Sequence, residues 1–323
     1  MRLLAPSPAR FLDAATGAPA FGAYTGPLPR IELPSLGLRD RIARRKKWFW
    51  FAVTTDEIWL SFAIVRTGYA ASAFAFAFDL REKRMLVDRT VLGPTLAAKI
   101  ADGPHEEGGP IARFKVGRSK IVVIRERELR IAASLDGLSL AASIDEASAP
   151  PSVTAIAKLA GGDGLLNATE KVALARVRGE AKVAGRAVYD LAKGFAGWDY
   201  THGLMPRHTR WNWAFGLGHA KDGMPFGFNV VEGFVGEAEC AMFRDGKVVP
   251  IAEPHFGIGE DTWRLEGDGI DLTFDVGAVH RQDTNLVVVK SRFVQPVGTF
   301  RGTIAGVEVE GLPGVVEDQD VVW

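Results

Sequence analysis

Residues 70–78 read Ala70-Ala71-Ser72-Ala73-Phe74-Ala75-Phe76-Ala77-Phe78. Side chains alternate between the two faces of a strand, so Phe74, Phe76 and Phe78 point one way and Ala73, Ala75 and Ala77 the other. One bulky and one small face suit the wall of a curved sheet or barrel. The run is too short for the ~20 apolar residues of a membrane-spanning helix.

The same texture extends outward. Thr55-Asp56-Glu57 separates the apolar runs 48–53 and 58–65, and Asp136-Gly137 separates 129–135 from 138–144. Asp245-Gly246, Asp268-Gly269 and Gly306 sit between further apolar runs, where residues tolerant of positive φ close tight hairpins. The 36 glycines and 17 prolines agree with many such turns. Helical signals are confined to 39–47 and 95–101. Ala147-Ser148-Ala149-Pro150-Pro151 disfavours both helix and central strand and reads as a linker. The expected fold class is all-β, with two barrel-like halves, 1–150 and 151–323, and few short helices. No alternation of strands and helices supports a parallel α/β fold.

Composition narrows the function classes. With 39 basic and 39 acidic side chains the formal net charge is zero, which leaves no global field to attract nucleic acid. The single cysteine, Cys240, excludes an internal disulfide and a one-chain thiolate zinc cage. Together with an N-terminus lacking the apolar core of a signal peptide, it points to a cytoplasmic protein without a transmembrane segment. The basic stretch Arg39–Lys47 reads as a solvated helix face, with transient contact to an anionic membrane surface as the alternative. No cofactor motif is present. Gly216-Leu217-Gly218 lacks a third glycine, Gly246-Lys247 lacks a P-loop, and no glycine-flanked serine or paired-histidine helix occurs. Asn167-Ala168-Thr169 matches a glycosylation sequon, read as coincidence.

Residues 195–234 concentrate the chemistry. Trp198, Asp199, Tyr200, His202, His208, Arg210, Trp211, Asn212 and Trp213 fall within sixteen positions, followed by Asn229 and Glu232. Apolar walls with a few convergent polar groups are what a small-molecule pocket needs. On a strand 208–215, His208, Arg210 and Asn212 share one face and Thr209, Trp211, Trp213 and Phe215 the other. The polar row is the expected ligand face, with Asn229 or Glu232 meeting it according to register. Asp199, Tyr200 and His202 are expected on a turn at the mouth. A purely structural role for Arg210 and Asn212, and core packing for the aromatics, stand beside this reading. The spacing of His202, His208 and His219 fits no standard metal site.

Trp198-Asp199-Tyr200-Thr201-His202-Gly203, Pro206 and Thr209-Arg210-Trp211-Asn212-Trp213-Ala214 strongly resemble the hallmark of domain-of-unknown-function family 2804. Lys46-Lys47-Trp48, Gly68-Tyr69-Ala70, Glu239 with Ala241, Phe243–Lys247, Asp271–Phe274, Gln295, Gly298–Gly302, Gly311–Gly314, Glu317-Asp318 and Trp323 extend the likeness over nearly the whole chain. Cys240 departs from it, where the pattern has asparagine. At fold level this family is similar to tandem lipocalin-like proteins that include carotenoid hydratases and tocopherol cyclases. The resemblance therefore implies two lipocalin-like antiparallel barrel halves and no bound cofactor.

Three functions follow. The first is binding of an apolar, lipid- or isoprenoid-like small molecule by Trp198, Tyr200, His208, Arg210, Trp211, Asn212, Trp213, Asn229 and Glu232. The alternative is a cofactor-independent hydratase or cyclase-type lyase. Asp199 and His202 would be its acids, hydrogen-bonded to each other, and Trp198, Tyr200, Trp211 and Trp213 its cation-stabilising walls. The third is a structural or interaction protein whose aromatics are all core.

Overall fold

A computed structural model describes residues 4–33, 35–285 and 290–323. It is all-β, with two curled antiparallel sheets that form a near-barrel and a half-barrel. The first sheet runs Arg84–Pro94, Ala70–Asp79, Ile58–Arg66, Arg45–Thr54, Phe195–Leu204, Leu166–Val183, Leu138–Asp145 and on through three short hairpin strands to Ala98–Ile100. The second has His208–His219 beside Val307–Val322 at its centre, with Lys290–Ile304 and Ile270–Asn285 on one side and Pro225–Glu232 on the other.

The Asp-Gly turns behave as their chemistry requires. Asp245 and Gly246 both take positive φ, 52° and 68°, and close Ala241–Arg244 onto Lys247–Pro250.

The alternation at 70–78 has two buried faces. Ala71, Ala73, Ala75 and Ala77 face the first core, inside the near-barrel. Phe74, Phe76 and Phe78 fill a second core, shared with the inner face of the second sheet. Two glycines make room for this contact. A Cβ on Gly197 would lie 2.6 Å from the Phe215 ring, and one on Gly277 would lie 2.3 Å from Phe78.

Several expectations are corrected. The sheets do not divide at Ala147–Pro151. Leu166–Val183 and Phe195–Leu204 complete the first sheet, and the chain crosses to the second only between Leu204 and His208, at Pro206. The helix expected over 39–47 is Leu38–Ala43 alone. From Arg45 the chain is strand, so Lys46 and Lys47 alternate between the two faces of a packed sheet, both buried, and neither belongs to a solvated helix face or can reach a membrane surface. The helix expected over 95–101 is a single 3-10 turn, Thr95–Ala97, followed by Ala98–Ile100 as strand. There Ala98 and Ile100 bury one side while Lys99 between them is exposed, so the period of two prevails. Among the described residues no helix is long and apolar enough to cross a membrane.

Candidate functional site

A cavity of about 590 Å³ lies between the two sheets. Its floor is the outer face of three neighbouring strands of the near-barrel. Register sets that floor out in rows, with Trp50, Asp199 and Lys171 side by side, then Trp48, Thr201 and Thr169, then Lys46, Gly203 and Asn167. Its roof is the inner face of the second sheet, with Trp211, Trp213 and Glu317. Tyr69 and Leu92 line the cavity and are exposed, so they mark its mouth.

The polar floor follows from alternation. In Leu166–Val183 the residues Leu166, Ala168 and Val172 turn into the first core, which puts Asn167, Thr169 and Lys171 on the cavity side. A bulge between Val172 and Ala175 then places Ala173 and Leu174 together in the second core. Leu174 takes φ 64° to do so, a strained conformation for a branched residue beside the cluster.

Lys171 is the hub. Its Nζ stands 2.8 Å from Asp199 Oδ1 and 3.3 Å from Glu239 Oε2, and all three residues are buried. The contact with Glu239 is an ion pair without hydrogen-bond geometry. Burial opposes the charge on Lys171, but the two carboxylates outweigh it and hold the ammonium above its ordinary pKa. Asp199 also accepts a hydrogen bond from Trp48 Nε1 at 3.0 Å. Thr169 and Thr201 hydroxyls lie 3.2 and 3.1 Å from its Oδ1. Each hydroxyl has one proton, and the Tyr200 carbonyl and Thr169 itself compete for them.

Glu239 comes from a 3-10 turn, Gly236–Glu239, pinned from behind. Trp213 Nε1 donates to Asn229 Oδ1 and Asn229 Nδ2 donates to the Glu239 carbonyl, both at 2.8 Å. Burial, reinforced by the Asp199 charge and opposed by Lys171, raises the Glu239 carboxyl pKa.

Glu317 faces this cluster from the second sheet. Trp211 Nε1 and Gln295 Nε2 each donate to one of its oxygens at 2.7 Å. Burial raises its pKa to about 7 against those two donors, with Asp199 adding repulsion. A buried carboxyl with that pKa is about half protonated near neutral pH, poised both to give up and to take back a proton. Around the polar groups Trp48 stacks on Trp211 (5.9 Å, 19°) and Trp50 meets Trp213 edge-on (5.0 Å, 84°).

Of the residues singled out in the sequence, Asp199, Trp211 and Trp213 line the cavity. The stretch carrying Asp199, Tyr200 and His202 is a strand, Phe195–Leu204, not a turn. Its even-numbered side chains turn the other way. Trp198 and Tyr200 lie in the first core, hydrogen-bonded to Glu146 Oε1 and the Ala101 carbonyl. His202 is buried on that same side, accepting from Arg45 Nε at 3.0 Å. Burial, then the positive charges of Lys47, Arg45 and Arg66, depress its pKa well below the ordinary value. Asp199 and His202 therefore cannot hydrogen-bond, and a neutral imidazole is no acid. On His208–His219 the faces alternate as expected, but the aromatic row is the one that lines the cavity. His208 and Arg210 are exposed, His208 against Asp320 at 2.7 Å. Asn212 is buried against Asp318 and the Glu317 carbonyl. Arg210 opposes Asp320 across the strand pair and neutralises neither Asp199 nor Glu232. Glu232 instead accepts from Phe256 N and meets His255 Nδ1 at 2.7 Å.

Lys171, Glu239, Glu317, Gln295, Trp48 and Trp50 belong to the site without any site role that the sequence alone suggests. A signal existed in the polar residues at 167, 169 and 171, spaced by two on one face of the strand, although Glu170 interrupts the apolar row of Leu166, Ala168 and Val172 on the other. Cys240 is buried, with Sγ 3.5 Å from the Val231 carbonyl, and burial raises its thiol pKa.

A family model described as "Domain of unknown function (DUF2804)" matches residues 7–323. Comparison with curated proteins gives no match. Among solved structures the chain is similar to kievitone hydratase from Nectria haematococca, with a TM-score of 0.50 and 12% identity over 92% of this chain and 98% of that one. A protein provisionally described as an AttH from Nitrosomonas europaea gives a TM-score of 0.50 and 11% identity over the same shares. At these identities the likeness establishes the fold and nothing finer.

Proposed function

Because the chain belongs to the DUF2804 family, whose description assigns no activity, we propose a function from the cavity itself. The protein binds a largely apolar small molecule between its two sheets and acts on it as a cofactor-independent hydratase or cyclase-type lyase. The observation that carries this reading is Glu317, a buried carboxyl with a pKa of about 7 on an aromatic wall, opposite a buried Lys171–Asp199–Glu239 cluster. A carrier of apolar molecules needs no such groups, and burying them costs stability. The hydratase among the structures of similar fold is compatible with this chemistry and does not assign it.

Glu317 is the acid. Transfer of its proton to an alkene carbon breaks the O–H bond and the π bond and forms a C–H bond. It leaves a carbocation beside the faces of Trp48, Trp50, Trp211 and Trp213. Water, or a nucleophile within the same molecule, adds to the cation, and the proton it sheds returns to Glu317. Asp199, ion-paired with Lys171, supplies fixed negative charge near the developing cation. His202 takes no part.

The test is a comparison of wild type with Glu317→Gln on acyclic isoprenoid alkenes such as farnesol. Binding is followed by tryptophan fluorescence and hydration or cyclisation by mass spectrometry. Glu317→Gln is expected to keep affinity and lose turnover by ~10²–10⁴-fold. Turnover that survives in Glu317→Gln would remove Glu317 from the mechanism.

A further inference from the structure

Most polar atoms on the cavity wall have partners. The indoles of Trp48 and Trp211 serve Asp199 and Glu317, and that of Trp213 serves Asn229. Two groups differ. Trp50 Nε1 and Asn167 Oδ1 both belong to cavity-lining residues, are buried, and have no hydrogen-bond partner among the described residues. The Trp50 ring is explained by packing, edge-on to Trp213 and Phe215. Its N–H is not, since a phenylalanine would make the same contacts. Asn167 occupies the end of the floor in the row of Gly203 and Lys46, where Lys46 Nζ already donates to the Ala43 carbonyl. A buried donor or acceptor left unpaired bears the full cost of its desolvation, so such groups in native proteins find partners.

The two groups are far apart. Trp50 lies in the row of Asp199 and Lys171, two strands from Lys171. Asn167 lies four residues from Lys171 along the same strand. At ~3.3 Å per residue and ~4.8 Å per strand their backbones are on the order of 16 Å apart. One small polar molecule cannot serve both.

We propose that the molecule bound in this cavity is an elongated apolar skeleton oxygenated at both ends. An acceptor oxygen takes the Trp50 N–H near the Lys171–Asp199 cluster, and a hydroxyl donates to Asn167 at the far end. This rests on the cavity reading above and narrows its ligand class, setting plain hydrocarbons aside. The aromatic walls hold the middle of the chain, and the two polar ends fix its position along the floor. Fixing it in this way brings one segment of the chain under Glu317.

Wild-type protein titrated with dodecane, 1-dodecanol and 1,12-dodecanediol, with tryptophan fluorescence as the readout, separates the possibilities. A purely apolar cavity binds dodecane tightest, because each hydroxyl loses its water without compensation. The inference predicts the reverse order, with the diol tightest and each hydroxyl worth about tenfold, roughly one hydrogen bond. Trp50→Phe and Asn167→Leu should each cut the diol's advantage over dodecane about tenfold. The wild-type ranking needs neither variant to fold. Dodecane binding tightest overturns the inference and leaves the cavity reading standing. Failure of all three chains to bind overturns both.

Discussion

Lys171 and Asp199 sit directly opposite each other on neighbouring strands, with Nζ 2.8 Å from Oδ1 and almost no exposure to water. The pair fixes the charge of the cavity floor. It also places a cation where an all-apolar site would have none.

Removing one partner should therefore be costly. Lys171→Met leaves Asp199 buried without its counter-charge, and a loss of ~3–5 kcal/mol is expected in urea unfolding. Lys171→Met with Asp199→Asn should recover much of it, because Glu239 can neutralise itself by taking a proton, as its raised pKa favours. A loss of under ~1 kcal/mol for the single variant, the value of an exposed pair, would mean that water reaches the cluster.

The second prediction concerns pH. Glu317 titrates at an ordinary 4.5 when unfolded and at about 7 when folded, so the folded state binds its proton more tightly. Its contribution is fully present below about pH 4.5 and lost as pH rises through about 7. Wild type should lose stability relative to Glu317→Gln across that window and run parallel to it above. Turnover should hold through most of that window and fall, along an alkaline limb, only as pH passes about 7, where folded Glu317 gives up its proton. Parallel stability curves throughout would contradict the shift.

Trp211 tunes that limb. Its N–H stabilises the ionised form of Glu317, so Trp211→Phe should raise the pKa further and move the alkaline limb of activity upward by about one unit or more. A limb that stays in place or moves down would show that the indole N–H does not govern the acid.

Cys240 should be inert. Its thiol is buried and its pKa raised, so native protein should resist alkylation and label only on unfolding. Fast native labelling would show that the turn carrying Glu239 opens.

The legible part of this protein was its period of two. Alternation at 70–78 and the Asp-Gly turns are local, and they specify antiparallel sheet whatever packs on it. The family likeness carried the tandem architecture. What alternation leaves open is which face meets which space. Phe74, Phe76 and Phe78 read as one wall, yet both faces of that strand are buried, because a second sheet covers the near-barrel. The same ambiguity put the expected ligand face on His208, Arg210 and Asn212 when Trp211 and Trp213 line the cavity. Asp199 could be named from its surroundings, but its partner Lys171 lies 28 residues away in sequence and only strand register sets it opposite, while Glu239 reaches Lys171 from a turn 40 residues beyond Asp199.

Everything proposed for the cavity turns on the protonation state of Glu317. Infrared difference spectra of wild type against Glu317→Gln report the carbonyl stretch of a neutral carboxylic acid without any ligand. With Glu317 as a buried acid this band is present at about pH 6, disappears with a midpoint of about 7, and is absent from Glu317→Gln at every pH. A band already gone by about pH 5 would place Glu317 among ordinary carboxylates and contradict its role as the acid.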